Sequence, residues 1–170
     1  MIAMPLFAEL PDSARLWIFA ADRPLTETES HTLLEALRPF LATWQAHGRP
    51  VCGQATVLHQ RFLLLAGYVP GGEISGCSID AATRAVHAAG QSLGITWMSP
   101  LVVFYRDPDG TVRHASRGQF RRLIAEGKVT AKTPVFDLSL TTVGDLRQSG
   151  FEKPAGQSWH ARVFTLTPAV

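Results

Sequence analysis

Apolar positions along the chain fall into short runs and helical spacings. RLWIFAA at 15–21 is a compact apolar run and reads as a buried strand. Pro24 in the following DRPL marks a turn. Thr26 and Glu29 stand three positions apart, which is the spacing of a capping box. Leu33, Leu37, Phe40, Leu41 and Trp44 then repeat so that one helix face is apolar. Pro39 lies inside this run and predicts a kink or split near Arg38. Gly48 is the expected stop.

VCGQATVLH at 51–59 and FLLLAGYV at 62–69 read as two strands joined at Gln60 and Arg61. These two residues are not favoured in a tight hairpin turn. VPGGEISG at 69–76 is a glycine-rich loop. Ile79, Ala82, Val86, Ala89, Gly90 and Leu93 form a second helical face of mostly small residues, ending at Gly94. LVVFYRD at 101–107 predicts another strand, and DPDG at 107–110 a turn.

This order is strand, helix, strand, strand, helix, strand. It predicts an α/β (α+β) fold with a ferredoxin-like βαββαβ core over 15–106. In GTVRHA a short strand is expected, and Ser116 caps a helix over 117–126 with Phe120, Leu123 and Ile124 inward. VFDLSL at 135–140 and WHARVFTL at 159–166 read as further strands, separated by a loop holding Gly144, Gly150 and Gly156. The expectation is one domain, 1–170, whose extension at 107–170 packs on or widens the sheet. A ferredoxin-like sheet leaves one face to cover, by the extension or by a second subunit of a homodimer.

Composition narrows the class. In 170 residues, 46% hydrophobic and 18% charged, nothing suggests wholesale disorder. A formal charge of +2 says little about partners. The N-terminal stretch MIAMPLFAELPDSARLW lacks a basic start followed by an apolar run, so no secretory signal is expected. No apolar run is long enough for a membrane span. Cys52 and Cys77 form no C-x-x-C pair and no metal-finger spacing, which points to a reduced, cytoplasmic protein.

Candidate chemistry centres on ISGCSID, 74–80. With Ser78 as the helix cap, Cys77 lies at the helix mouth, where free N–H groups favour a thiolate or a bound anion. Asp80 opposes both. The plainer alternative is that Ser75, Ser78 and Asp80 launch the helix while Cys77 packs beneath it. A phosphatase needs five residues between its cysteine and arginine, but six separate Cys77 from Arg84. There is no P-loop, no G-x-G-x-x-G and no G-x-S-x-G. The histidines at 31, 47, 59, 87, 114 and 160 form no short metal-ligand cluster, and each reads as structural. No metal or cofactor is expected.

Asp22 and Arg23 follow the first strand at its C-terminal end, where α/β sheets often meet ligands. They pair, cap a turn or reach a ligand. From Arg106 to Lys132, seven basic residues face three acidic ones, a local +4. Arg113, Arg117, Arg121, Arg122 and Lys128 would carry any nucleic-acid contact, although a solvated helix face is the plainer explanation.

WIFAADRPLTETE at 17–29, SGCSID at 75–80 and SWH at 158–160 resemble a family of small bacterial proteins sometimes labelled "ABC transporter ATPase". The resemblance implies no assigned activity and no catalytic residues. An ATPase of that class needs a phosphate-binding loop, which this chain lacks. Three functions stay open. One is a binding or regulatory domain lined by Asp22, Arg23, Ser75, Cys77, Ser78 and Asp80, for a protein or small ligand. The others are a cysteine-dependent enzyme using Cys77 and an accessory nucleic-acid binder.

Overall fold

A computed structural model describes residues 6–166. Residues 1–5, which begin the stretch read for a targeting signal, lie outside them. The fold is mixed α/β with a ferredoxin-like opening, and the chain divides into two compact units. The first holds residues up to Met98 together with Leu140–Gln148. The second holds Ser99–Ser139 and the chain from Ser149 onward.

In the first unit, β1 (Arg15–Ala20) pairs antiparallel with β5 (Phe62–Tyr68), which pairs with β4 (Cys52–Leu58). The fourth position, beside β1, is held by a single bridge, Ala21 to Trp97. Met98 N–H donating to Ala20 C=O and Asp22 N–H donating to Thr96 C=O flank it. The order across the sheet is therefore the Trp97 bridge, β1, β5, β4, the arrangement of a ferredoxin-like sheet. Alternation along the strands sends Trp17, Phe19, Leu63, Leu65, Ala55 and Val57 to one face. There they meet Leu33 and Leu37 of α1 (Glu27–Thr43) and Ala82, Val86 and Ala89 of α2 (Gly76–Gln91). Two glycines make room for Trp44 beneath the helices. A Cβ on Gly67 would lie 2.6 Å from the Trp44 ring, and one on Gly53 2.8 Å from it.

Several local expectations shift. The α1 capping box forms at Thr26 and Glu29 as its sequence dictates. The helix then runs unbroken through Pro39 to Thr43. Proline removes one N–H, but packing of the Leu33–Leu37 face into the core outweighs that local loss. Gly48 is not the helix stop. Trp44 leaves the helix, and His47 (φ 51°) with Gly48 (φ 76°) turns a small hairpin, β2 (Gln45–Ala46) and β3 (Arg49–Pro50). Between β4 and β5 the turn residues are His59 and Gln60, both at positive φ, one position earlier than expected. Arg61 is thereby turned inward, where it is buried and donates from Nε to the Ala21 carbonyl.

The second unit carries its own sheet, in the order β7-β6-β8-β9. It consists of β6 (Val103–Arg106), β7 (Val112–Ala115), β8 (Pro134–Phe136) and β9 (Glu152–Pro154). The strand expected at 101–107 is thus a member of this sheet. Ser116 caps α3 (Arg117–Ala125) with a full capping box to Gln119, and Phe120 and Ile124 point into the core. The strand expected over 135–140 stops at Phe136, because Asp137 closes a side-chain turn on Ser139 N–H at 3.0 Å. The glycine-bearing loop contains α4 (Val143–Ser149), through Gln148 a part of the first unit. It docks where a Gly144 Cβ would lie 3.0 Å from Asp12. Residues 159–166 are not a strand. A 3₁₀ turn (Ala155–Gln157) leads into the short helix α5 (His160–Val163). The apolar alternation there arises from Trp159, His160 and Phe164 packing around Phe120, not from pairing.

Candidate functional site

The residues singled out at 74–80 fold as a helix start, with one change. The N-cap is Ser75, not Ser78. Its Oγ accepts from Ser78 N–H at 3.2 Å. The buried Ser78 hydroxyl donates to the Gln45 carbonyl at 2.6 Å, so Ser75 is the donor in their 2.8 Å contact. Cys77 becomes the second helical residue and is exposed, as is Asp80. Cys77, Ser75 and Ser78 line a shallow groove with Phe40, Trp44 and His47. His47 is thirty residues from Cys77 in sequence and arrives only through the β2–β3 turn.

Asp22 and Arg23 are elsewhere. Asp22 accepts from Thr96 N–H at 3.1 Å. Arg23 forks onto Glu29 at 3.0 and 2.7 Å and donates to the Leu93 carbonyl at 2.8 Å. Hydrogen bonds from Arg23 and Thr26 hold the Glu29 carboxyl down at about 2. Leu93 follows the C-terminal end of α2, whereas Ser75 caps its N-terminal end. Sixteen helical residues, about 24 Å by the usual rise, separate the two sets. The fold does not bring them into one pocket.

The basic residues of the second unit are mostly engaged. Arg113 pairs with Asp107, and Lys128 with Glu126 at 3.0 Å. Arg121 lies over the Phe164 ring at 5.3 Å, and Arg117 over Trp159 at 5.6 Å. Arg122 is exposed in the last turn of α3.

The most unusual chemistry in the described residues surrounds His160, set aside in the sequence as structural. Its side chain is fully buried. The ring stacks on Trp159 with centroids 3.9 Å apart, and Nδ1 lies 2.9 Å from Ser158 Oγ. Burial pushes its pKa down to about 4, the Arg117 and Lys153 charges add to this, and Asp137 opposes it. The imidazole is neutral at pH 7.

Three buried nitrogens here have no hydrogen-bond partner among the described residues: His160 Nε2, Trp159 Nε1 and Arg117 Nε. Arg117 also has no acidic partner among them. All three side chains line one cavity of about 230 Å³, walled on its apolar side by Pro100, Val102, Phe136 and Leu138. Such groups are rare in folded proteins and normally have an explanation. Beside the cavity, Asp137 and Lys153 form a buried ion pair at 2.8 Å, with side chains 8% and 9% exposed. Burial pushes the Asp137 carboxyl up. The bonds from Lys153 and Ser139 outweigh this and leave it below the usual range.

Sequence reasoning passed over this constellation. Its one visible signal is SWH, a polar pair around tryptophan. Among the described residues no group of His, Cys, Asp and Glu is placed to hold a metal ion. None of their helices is long and apolar enough to cross a membrane. The chain matches no protein-family model, and no curated protein or solved structure shows significant similarity to it.

Proposed function

We propose that this protein is a binding domain whose ligand enters the cavity beside His160. The observation that carries this reading is that three side chains, each with an unpartnered buried nitrogen among the described residues, line one largely apolar cavity. Ligand sites combine apolar walls with a few placed polar groups in this way. Catalysis is a poorer fit. The Ser158–His160 contact has the reach of a nucleophile–base pair, but a histidine near 4 is too weak a base at neutral pH. No carboxylate orients its ring either, since Asp137 is held by Lys153 and Ser139.

The Trp159 indole N–H resonance, assigned with Trp159→Phe, tests the reading. Small probes of varied charge should shift it saturably. A resonance that no probe moves at millimolar concentration would sink the proposal.

A second reading rests on Cys77, exposed in a groove that also contains His47. If Cys77 is an activated nucleophile, it will alkylate faster than Cys52, which is also exposed, below pH 8. Equal rates would remove the thiol-enzyme reading. The nucleic-acid reading has the engaged arginines against it and predicts salt-sensitive RNA or DNA binding that Arg122→Glu weakens.

A further inference from the structure

Resting on the cavity reading above, we infer that the ligand is a short monocarboxylate whose carboxylate meets Arg117, Trp159 and His160 while its apolar tail lies against Val102, Phe136 and Leu138. Four features of the cavity point the same way.

The first is donor chemistry. Arg117 and Trp159 present N–H groups only and can accept nothing. His160 Nε2 adds a third donor when the Ser158 hydroxyl donates to Nδ1, which leaves the ring proton on Nε2. A ligand that supplies acceptors satisfies all three, whereas an ammonium or other pure donor satisfies none of them.

The second is charge. Arg117 is the one cation lining the cavity, and it has no acidic partner among the described residues. A single guanidinium neutralises a single negative charge. A phosphate dianion would leave excess charge against Phe136 and Leu138. The planar guanidinium also matches a carboxylate in shape.

The third is size. About 230 Å³ lies below the roughly 300–1,000 Å³ usual for drug-sized ligands, so the occupant is small.

The fourth is dielectric. The three nitrogens are shielded from solvent, so a charge-assisted bond formed there is stronger than one at the surface. Arg117 is only half-buried, so on this inference the carboxylate reaches them by displacing its side chain.

The same group comes from a free short acid or from the end of a peptide chain. Binding to the full chain is followed at the Trp159 indole and the His160 ring by NMR. The probes are butyrate, butyramide, inorganic phosphate and N-acetylvaline, which presents a carboxylate as a chain terminus does. Butyrate should bind at least roughly 10-fold more tightly than butyramide, and Arg117→Gln should weaken it roughly 10- to 100-fold. Leu138→Trp, which fills the apolar end but leaves the donors in place, should also abolish it. Tighter binding of N-acetylvaline than of butyrate supports the inference and identifies a chain terminus as the source. Equal binding of butyrate and butyramide, or a preference for phosphate, overturns the carboxylate assignment while leaving the cavity a binding site. If no probe moves either residue, both the assignment and the underlying reading fail.

Discussion

Nδ1 of His160 and Oγ of Ser158 lie 2.9 Å apart, two residues along the chain, at the start of α5. That contact fixes the ring between Trp159 and the Phe120–Phe164 cluster and leaves Nε2 without a partner among the described residues. A neutral imidazole held this way makes folding sensitive to acid.

The His160 pKa falls from 6.5 to about 4 on folding. Between those values the unfolded chain binds the proton and the folded one does not. Its contribution is therefore intact above pH 6.5 and is lost as pH falls toward 4, by on the order of 3 kcal/mol. Burial is the main cause of this value, and Asp137, Lys153 and Arg117 are the charged groups that modify it. Urea denaturation at pH 7, 5.5 and 4 will show the loss, and His160→Gln will flatten it. A pH-independent difference between the two proteins would refute the buried neutral ring.

The Asp137–Lys153 pair predicts a large asymmetry between single and double changes. Lys153→Met leaves a buried carboxylate uncompensated and should cost about 3–5 kcal/mol. Adding Asp137→Asn should restore part of that loss. Additive single effects in a double-mutant cycle would show that the two groups do not interact.

Gly67 is the contact point between β5 and Trp44. With a Cβ only 2.6 Å from the ring, Gly67→Ala must displace the tryptophan, which also donates from Nε1 to the Ser78 carbonyl at 3.0 Å. The expected cost is about 1–3 kcal/mol, with a change in tryptophan fluorescence. An unchanged midpoint and spectrum would show that the close approach is absent.

Ser75, as the N-cap of α2, predicts a loss of about 1 kcal/mol in Ser75→Ala and a smaller loss in Ser75→Asp, which still accepts the Ser78 N–H but cannot donate to Ser78 Oγ. Chemical denaturation of the two variants separates a capping role from a merely polar surface position. Equal losses in both would argue against the cap.

What the sequence by itself determined is local. The capping boxes at Thr26–Glu29 and Ser116–Gln119 are legible because each hydrogen bond joins residues three apart. The strands at 15–20, 52–58 and 62–68 and the two helices on their face follow from apolar period, and their order gives the ferredoxin-like opening. Tertiary structure decided the rest. Pro39 stays helical because core packing outweighs a local loss. Residues 159–166 coil into α5 because their aromatic rings pack on Phe120, a contact that alternation along the chain cannot distinguish from a strand. Asp22, at the end of the first strand, and Ser75, in the turn that launches the second helix, are parted by the length of α2. The cavity assembles Pro100, Arg117, Phe136 and His160 from four separate stretches. No spacing encodes it, because burial and a missing hydrogen-bond partner are properties of the packed chain alone.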